Sequence, residues 1–73
     1  MPKRVIEAVS LDGLTPPLYF LGYRDKGLRA ECVWTPNRAR ARWFDADEAA
    51  VEVELIAPMV EPQRILTVQP IMA

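Results

Sequence analysis

The chain has no histidine, one cysteine and three glycines in 73 residues, and Ser10 is its only serine. Without an imidazole the commonest general base is missing. Ser10 lies in a β-rich run with no base near it in sequence. One thiol forms no intrachain disulfide and, without histidine, builds no zinc site. Cys32 reads as a structural thiol on the inward face of a strand. The glycines are scattered, so no loop is patterned to cradle phosphate. No apolar run approaches the roughly 20 residues that span a bilayer. Glu7, Ser10 and Asp12 interrupt the region behind the basic Lys3-Arg4 pair, which argues against a secretory signal. The net charge of −1 is too balanced for a dedicated duplex-DNA binder. These absences argue against an enzyme, a cofactor and a metal centre. A lone free thiol agrees with a reducing compartment, and the cytoplasm is the expected location.

What is present suits one small domain spanning residues 1–73. Apolar residues make up 51% of the chain, too many for a disordered segment. A chain this short buries only about 60% of its extended surface, so its core is marginal. Docking onto a partner or onto a second copy is therefore expected.

Residues 4–11 alternate, with Val5, Val9 and Leu11 on a face broken by Glu7, and Ile6 with Ala8 on the other. This pattern predicts a strand at a sheet edge. Asp12-Gly13 marks a turn, and Pro16-Pro17 extends the break. Residues 18–23 read as a strand covered on both faces. A four-residue loop is expected at Arg24-Asp25-Lys26-Gly27. The next strand, 28–34, should turn Leu28, Ala30, Cys32 and Trp34 inward and Arg29 and Glu31 outward, completing a hairpin. Tyr19, Phe20 and Tyr23 read as core and sheet surface.

Thr35-Pro36 carries the signature of a helical turn. Residues 38–44 admit two readings. As a strand, they line Arg38, Arg40 and Arg42 along one face. As a helical turn from Pro36 to about Ala41, they spread the arginines and let only Trp43-Phe44 re-enter the sheet. The local cap signal favours the turn. Asp45 then caps a helix, with Glu48 completing a capping box. Ala46, Ala49, Ala50, Val53, Ile56 and Ala57 recur at helical spacing as its apolar face. Asp47, Glu48, Glu52 and Glu54 are expected outward, and Val51 and Leu55 lie off the stripe, partly exposed. Pro58 ends the helix at about Ala57. Residues 64–71 form a last strand, edge-like near Pro70. The fold class is α+β: a small antiparallel-dominated sheet, β-β-β-turn-α-β, with one amphipathic helix on one face.

The candidate contacts are Arg38, Arg40, Arg42 and Trp43, with Glu52 and Glu54 as a secondary acidic surface. Arginine forks pair bidentately with carboxylates and phosphates. Solvated arginines paired with acids of the neighbouring helix are the plainer alternative. The carboxylate pairs read as a capped, solvated helix face, since acid–base pairs need a cleft.

The segment from Trp34 to Ala49 resembles a pattern in short accessory proteins of phages and mobile elements. There a strand ending in Trp-Thr leads through a polar turn to an Ala, a Phe and a Glu-Ala helix start. Trp34, Thr35, Ala41, Phe44, Glu48 and Ala49 match it. The resemblance implies a small α+β module without catalytic residues, some members of which bind and inhibit host proteins such as CRISPR-type defence effectors. The leading expectation is thus a non-enzymatic protein–protein interaction module, in its sharper form a phage-encoded inhibitor acting by occlusion. A nucleic-acid binder, using the arginines with a stacking tryptophan, is one alternative. A homo-oligomeric structural protein, such as a homodimer, is another.

Overall fold

The computed structural model describes residues 3–60 and 62–71. Strands β1 (Arg4–Ser10), β2 (Leu18–Lys26), β3 (Arg29–Thr35) and β4 (Arg64–Pro70) form one sheet in the order β3-β2-β1-β4. Every pairing in it is antiparallel. A 3-10 turn at Arg38–Arg40, helix α1 (Ala46–Ile56) and a second 3-10 turn at Ala57–Met59 fill the connection from β3 to β4. Helix α1 packs on one sheet face, giving the α+β arrangement expected from the pattern.

The core lies between that face and the helix. Ile6, Phe20, Phe44, Ala49 and Ile56 form one buried cluster, with Cys32, Trp34, Val53 and Leu66 packed against it. Phe20 sits at its centre, 5.6 Å edge-on from Trp34 and 6.1 Å stacked from Phe44. Side chains of this size contribute about 1.5–3 kcal/mol each when fully buried.

Strand β1 is interior, not at the edge. It pairs with β4 from Arg4↔Pro70 to Ser10↔Arg64, and with β2 at Glu7↔Tyr19 and Ala8↔Leu18. The edge expectation rested on Glu7 interrupting an apolar face. Glu7 instead accepts from the Thr67 hydroxyl on β4 at 3.3 Å, on the face away from α1. Val5, Ile6 and Ala8 are all buried. Towards the Arg4 end, β1 and β2 part, and the segment after the first 3-10 turn enters the gap. The Arg42 amide donates to the Phe20 carbonyl at 2.9 Å, and Phe44 exchanges backbone hydrogen bonds with Arg4 at 2.8 and 2.7 Å. The expected re-entry at Trp43-Phe44 is therefore real.

The hairpin is tighter than expected. Strand β2 continues through Arg24–Lys26, and Lys26 pairs with Arg29, leaving Gly27-Leu28 as a two-residue turn. Gly27 has φ 68°, a conformation that costs glycine little. Glu31 holds the extended ends together, 2.6 Å from Arg24 and 3.4 Å from Lys26. Leu28 at the tip is fully exposed, and Ala30 is exposed as well. The inward alternation in β3 holds only for Cys32 and Trp34, because the hairpin end extends past the helix. A register irregularity between Phe20 and Gly22 places Phe20 and Tyr23 on the same face, with ring centroids 5.2 Å apart.

Helix α1 starts as its sequence dictates. The Glu48 carboxylate accepts from the Asp45 amide at 3.0 Å, and the capping box closes. The inward stripe is narrower than predicted. Ala49 and Ile56 are buried and Val53 half-buried, while Ala46, Ala50 and Ala57 are exposed. Pro58 falls within the 3-10 turn that follows the helix.

Candidate partner-binding site

The arginine segment is a turn, and the turn disperses it. Asn37, not Thr35, caps it: the Asn37 side chain accepts from the Ala39 amide at 3.0 Å. Thr35 instead accepts from the Asn37 amide at 3.1 Å. A 3-10 helix has about three residues per turn, so side chains two apart lie on different sides. Arg38 reaches β4, donating to the Pro70 carbonyl at 2.5 Å. It also lies close enough to Tyr19 to oppose the rise in that phenol's pKa, which burial and then Glu7 cause. Arg42 places its guanidinium 5.5 Å from the centroid of the Phe44 ring, a cation–π contact. Arg40 is exposed on the turn itself. The three arginines therefore form no single stripe.

Trp43 stands out among these residues. Its 56% exposure contrasts with Trp34, which is half-buried against Phe20. Its indole borders two hollows. One, of about 410 Å³, is lined by Arg42, Asp47, Glu48, Val51 and Glu52. The other, of about 360 Å³, is lined by Arg38, Ala39 and Ile71. The first hollow is mainly acidic, and among the described residues Arg38 is the one charged residue lining the second. Lys3 and Asp45 form an ion pair at 2.8 Å.

Glu52 is not wholly outward. It is half-buried and accepts a hydrogen bond from the Tyr23 hydroxyl. Burial, and then this carboxylate, push the Tyr23 phenol up to about 12. Helical spacing alone put Glu52 on the solvent face, yet it adjoins the inward stripe of Ala49, Val53 and Ile56. A phenol from the facing strand end accounts for its place there. Tyr23 was legible only as an aromatic strand residue; its role depends on the shift in register that turns it towards α1. Glu54 remains exposed.

Cys32 lies opposite Tyr23 in the hairpin and is half-buried. Burial first, then Glu52 and Glu31, push its thiol up, which disfavours the nucleophilic thiolate. Cys32 also lines a third hollow, of about 490 Å³, with Lys26, Arg29, Trp34 and Met59. Among the described residues, no group of three or more cysteine, aspartate or glutamate side chains is placed to hold a metal ion. Among them also, no helix is long and apolar enough to cross a membrane.

The chain matches no protein-family model, and no curated protein or solved structure is significantly similar to it.

Proposed function

We propose that this protein is a non-enzymatic binding module that presents Trp43 and the acidic side chains beside it to another protein. The observation carrying this reading is an exposed indole that borders two hollows, one of them lined by Asp47, Glu48 and Glu52. Aromatic anchors with arginines nearby are the residues that dominate protein interfaces. A partner offering an apolar pocket for the ring, with cationic groups facing Asp47, Glu48 and Glu52, would be held in one orientation. In its sharper form the module is a phage-encoded inhibitor of a host defence effector, working by occlusion in the cytoplasm. The Trp34–Ala49 resemblance motivates that form.

Nucleic-acid binding is less well supported. Asp47, Glu48 and Glu52 border one side of Trp43 and repel phosphate there. Arg38 and Arg42 are already engaged by Pro70 and Phe44.

The test is capture from bacterial lysate on immobilised protein at moderate salt. A stoichiometric partner should be retained by the natural chain and lost with Trp43→Ala. Retention indifferent to Trp43→Ala, or no retained partner, overturns the reading.

A further inference from the structure

Trp43 is not the only apolar surface left uncovered. Val51 and Leu55 stand one turn apart on the outer side of α1, each 58% exposed. The core does not use them, because Ala49, Val53 and Ile56 supply the packed stripe. At helical spacing, Glu48 and Glu52 border the pair on one side, and Asp47 and Glu54 border it on the other. The sequence of α1 contains no lysine or arginine. Arg42 faces Phe44, and among the described residues it forms no ion pair with these carboxylates. Val51 opens into the hollow that Trp43 lines. The outcome is an apolar ridge inside a frame of negative charge.

We propose that α1 is the docking surface for a cationic amphipathic helix of another protein. Its apolar residues would seat on Val51, Leu55 and Trp43, and its lysines or arginines would meet the framing carboxylates. This proposal rests on the protein-binding reading of Trp43 and names the chemistry of the partner. A helix fits the shape. Val51 and Leu55 belong to one i,i+4 row, the ridge that packs into the groove of a facing helix. The 11 residues of α1 rise about 16 Å, room for about three turns of an occupant. Helix-in-groove recognition reads such anchors at spacings of three and four. Charge complementarity selects the occupant. A second copy of α1 would bring four carboxylates against four, a repulsive pairing. No lysine or arginine of a second copy lies on α1; Arg38 and Arg40 lie on the 3-10 turn and the others on or beside the strands, so a second copy presents no cationic helical face. A polyanion would be repelled.

The test uses the whole protein and a fluorescein-labelled Leu/Lys peptide with leucines at helical spacing. Controls are a scrambled peptide of equal composition and a Leu/Glu peptide of the same spacing. Fluorescence anisotropy should show saturable binding of the Leu/Lys helix alone, weakening several-fold from about 20 to about 150 mM salt. Val51→Ser with Leu55→Ser should weaken it about tenfold, since both side chains lose apolar contact. Asp47→Asn with Glu54→Gln should flatten the salt dependence. Far-UV circular dichroism verifies that each variant folds, and their exposed positions favour that. Equal binding of the scrambled or acidic peptide, or binding indifferent to Leu55, overturns the proposal. So does sedimentation showing dimers that dissociate on Val51→Ser with Leu55→Ser, which would make the occupant a second copy. If the peptide fails to bind while Trp43-dependent capture persists, this inference falls and the protein-binding reading stands. If capture fails while the peptide binds through Val51 and Leu55, the Trp43 reading falls, and with it the part of the inference that seats the occupant on Trp43.

Discussion

The Tyr23 hydroxyl donates to Glu52 across the seam between the sheet and α1, and that bond needs the phenol protonated. Its folded pKa is raised from 10.0 to about 12, so its stabilising contribution is complete below pH 10 and is lost as the pH climbs to about 12. Ultraviolet titration should show one of the two tyrosines ionising near 12, and Tyr23→Phe should remove that late step. Tyr23 is 41% exposed, so the substitution should cost under about 1 kcal/mol at neutral pH. Absence of any step near 12 in the natural chain would mean that the Tyr23 phenol is neither buried nor bonded to Glu52 in solution. Trp43 makes the contrasting case. Its ring is mostly exposed, so Trp43→Ala should leave the melting temperature nearly unchanged while abolishing capture. A large fall in melting temperature would reassign the indole to the fold.

At the scale of an element, α1 shows how local chemistry positions a surface. Its first turn is fixed by Asp45 and Glu48, and Lys3 on the chain entering β1 pairs with the cap. Lys3 holds the Asp45 carboxyl below its ordinary value of 3.8. The cap's contribution is therefore complete above pH 3.8 and is lost as the pH falls through the lower folded value. Asp45→Ala should lower the melting temperature by about 4–8 °C, the usual effect of losing an N-cap in a domain of this size. Asp45→Asn should recover most of that loss, because the amide oxygen still caps although the ion pair with Lys3 is gone. Thermal denaturation by circular dichroism measures both, and equal destabilisation would assign the effect to the ion pair. The arginine turn differs from α1 in this respect. Its cap signal in the sequence correctly favoured a turn, but the side chain that caps is Asn37, two residues beyond Thr35.

For the molecule as a whole, Phe20 is the point on which the core closes. It touches Trp34, Tyr23 and Phe44 and is fully buried. Phe20→Ala should cost about 3–5 kcal/mol. That is comparable with the entire stability of so short a chain, roughly 0.05–0.15 kcal/mol per residue. The variant should lack dispersed amide signals in a proton–nitrogen NMR spectrum, and a well-dispersed spectrum would move the centre of the core elsewhere. The sequence by itself determined the elements and their order, the capped helix, the exposure of Val51 and Leu55, and the return of Trp43-Phe44 to the sheet. Each of these follows from interactions within a few residues: caps, turns and the period of apolar side chains. Only the tertiary structure decided that β1 is interior, that Glu52 faces Tyr23, and that Arg38 reaches Pro70. Those depend on strand order, on one slip in the register of β2, and on which hydrogen-bond partners lie 29 or 32 residues away. Alternation along a single strand carries no information about its neighbours, so no local pattern could have supplied them.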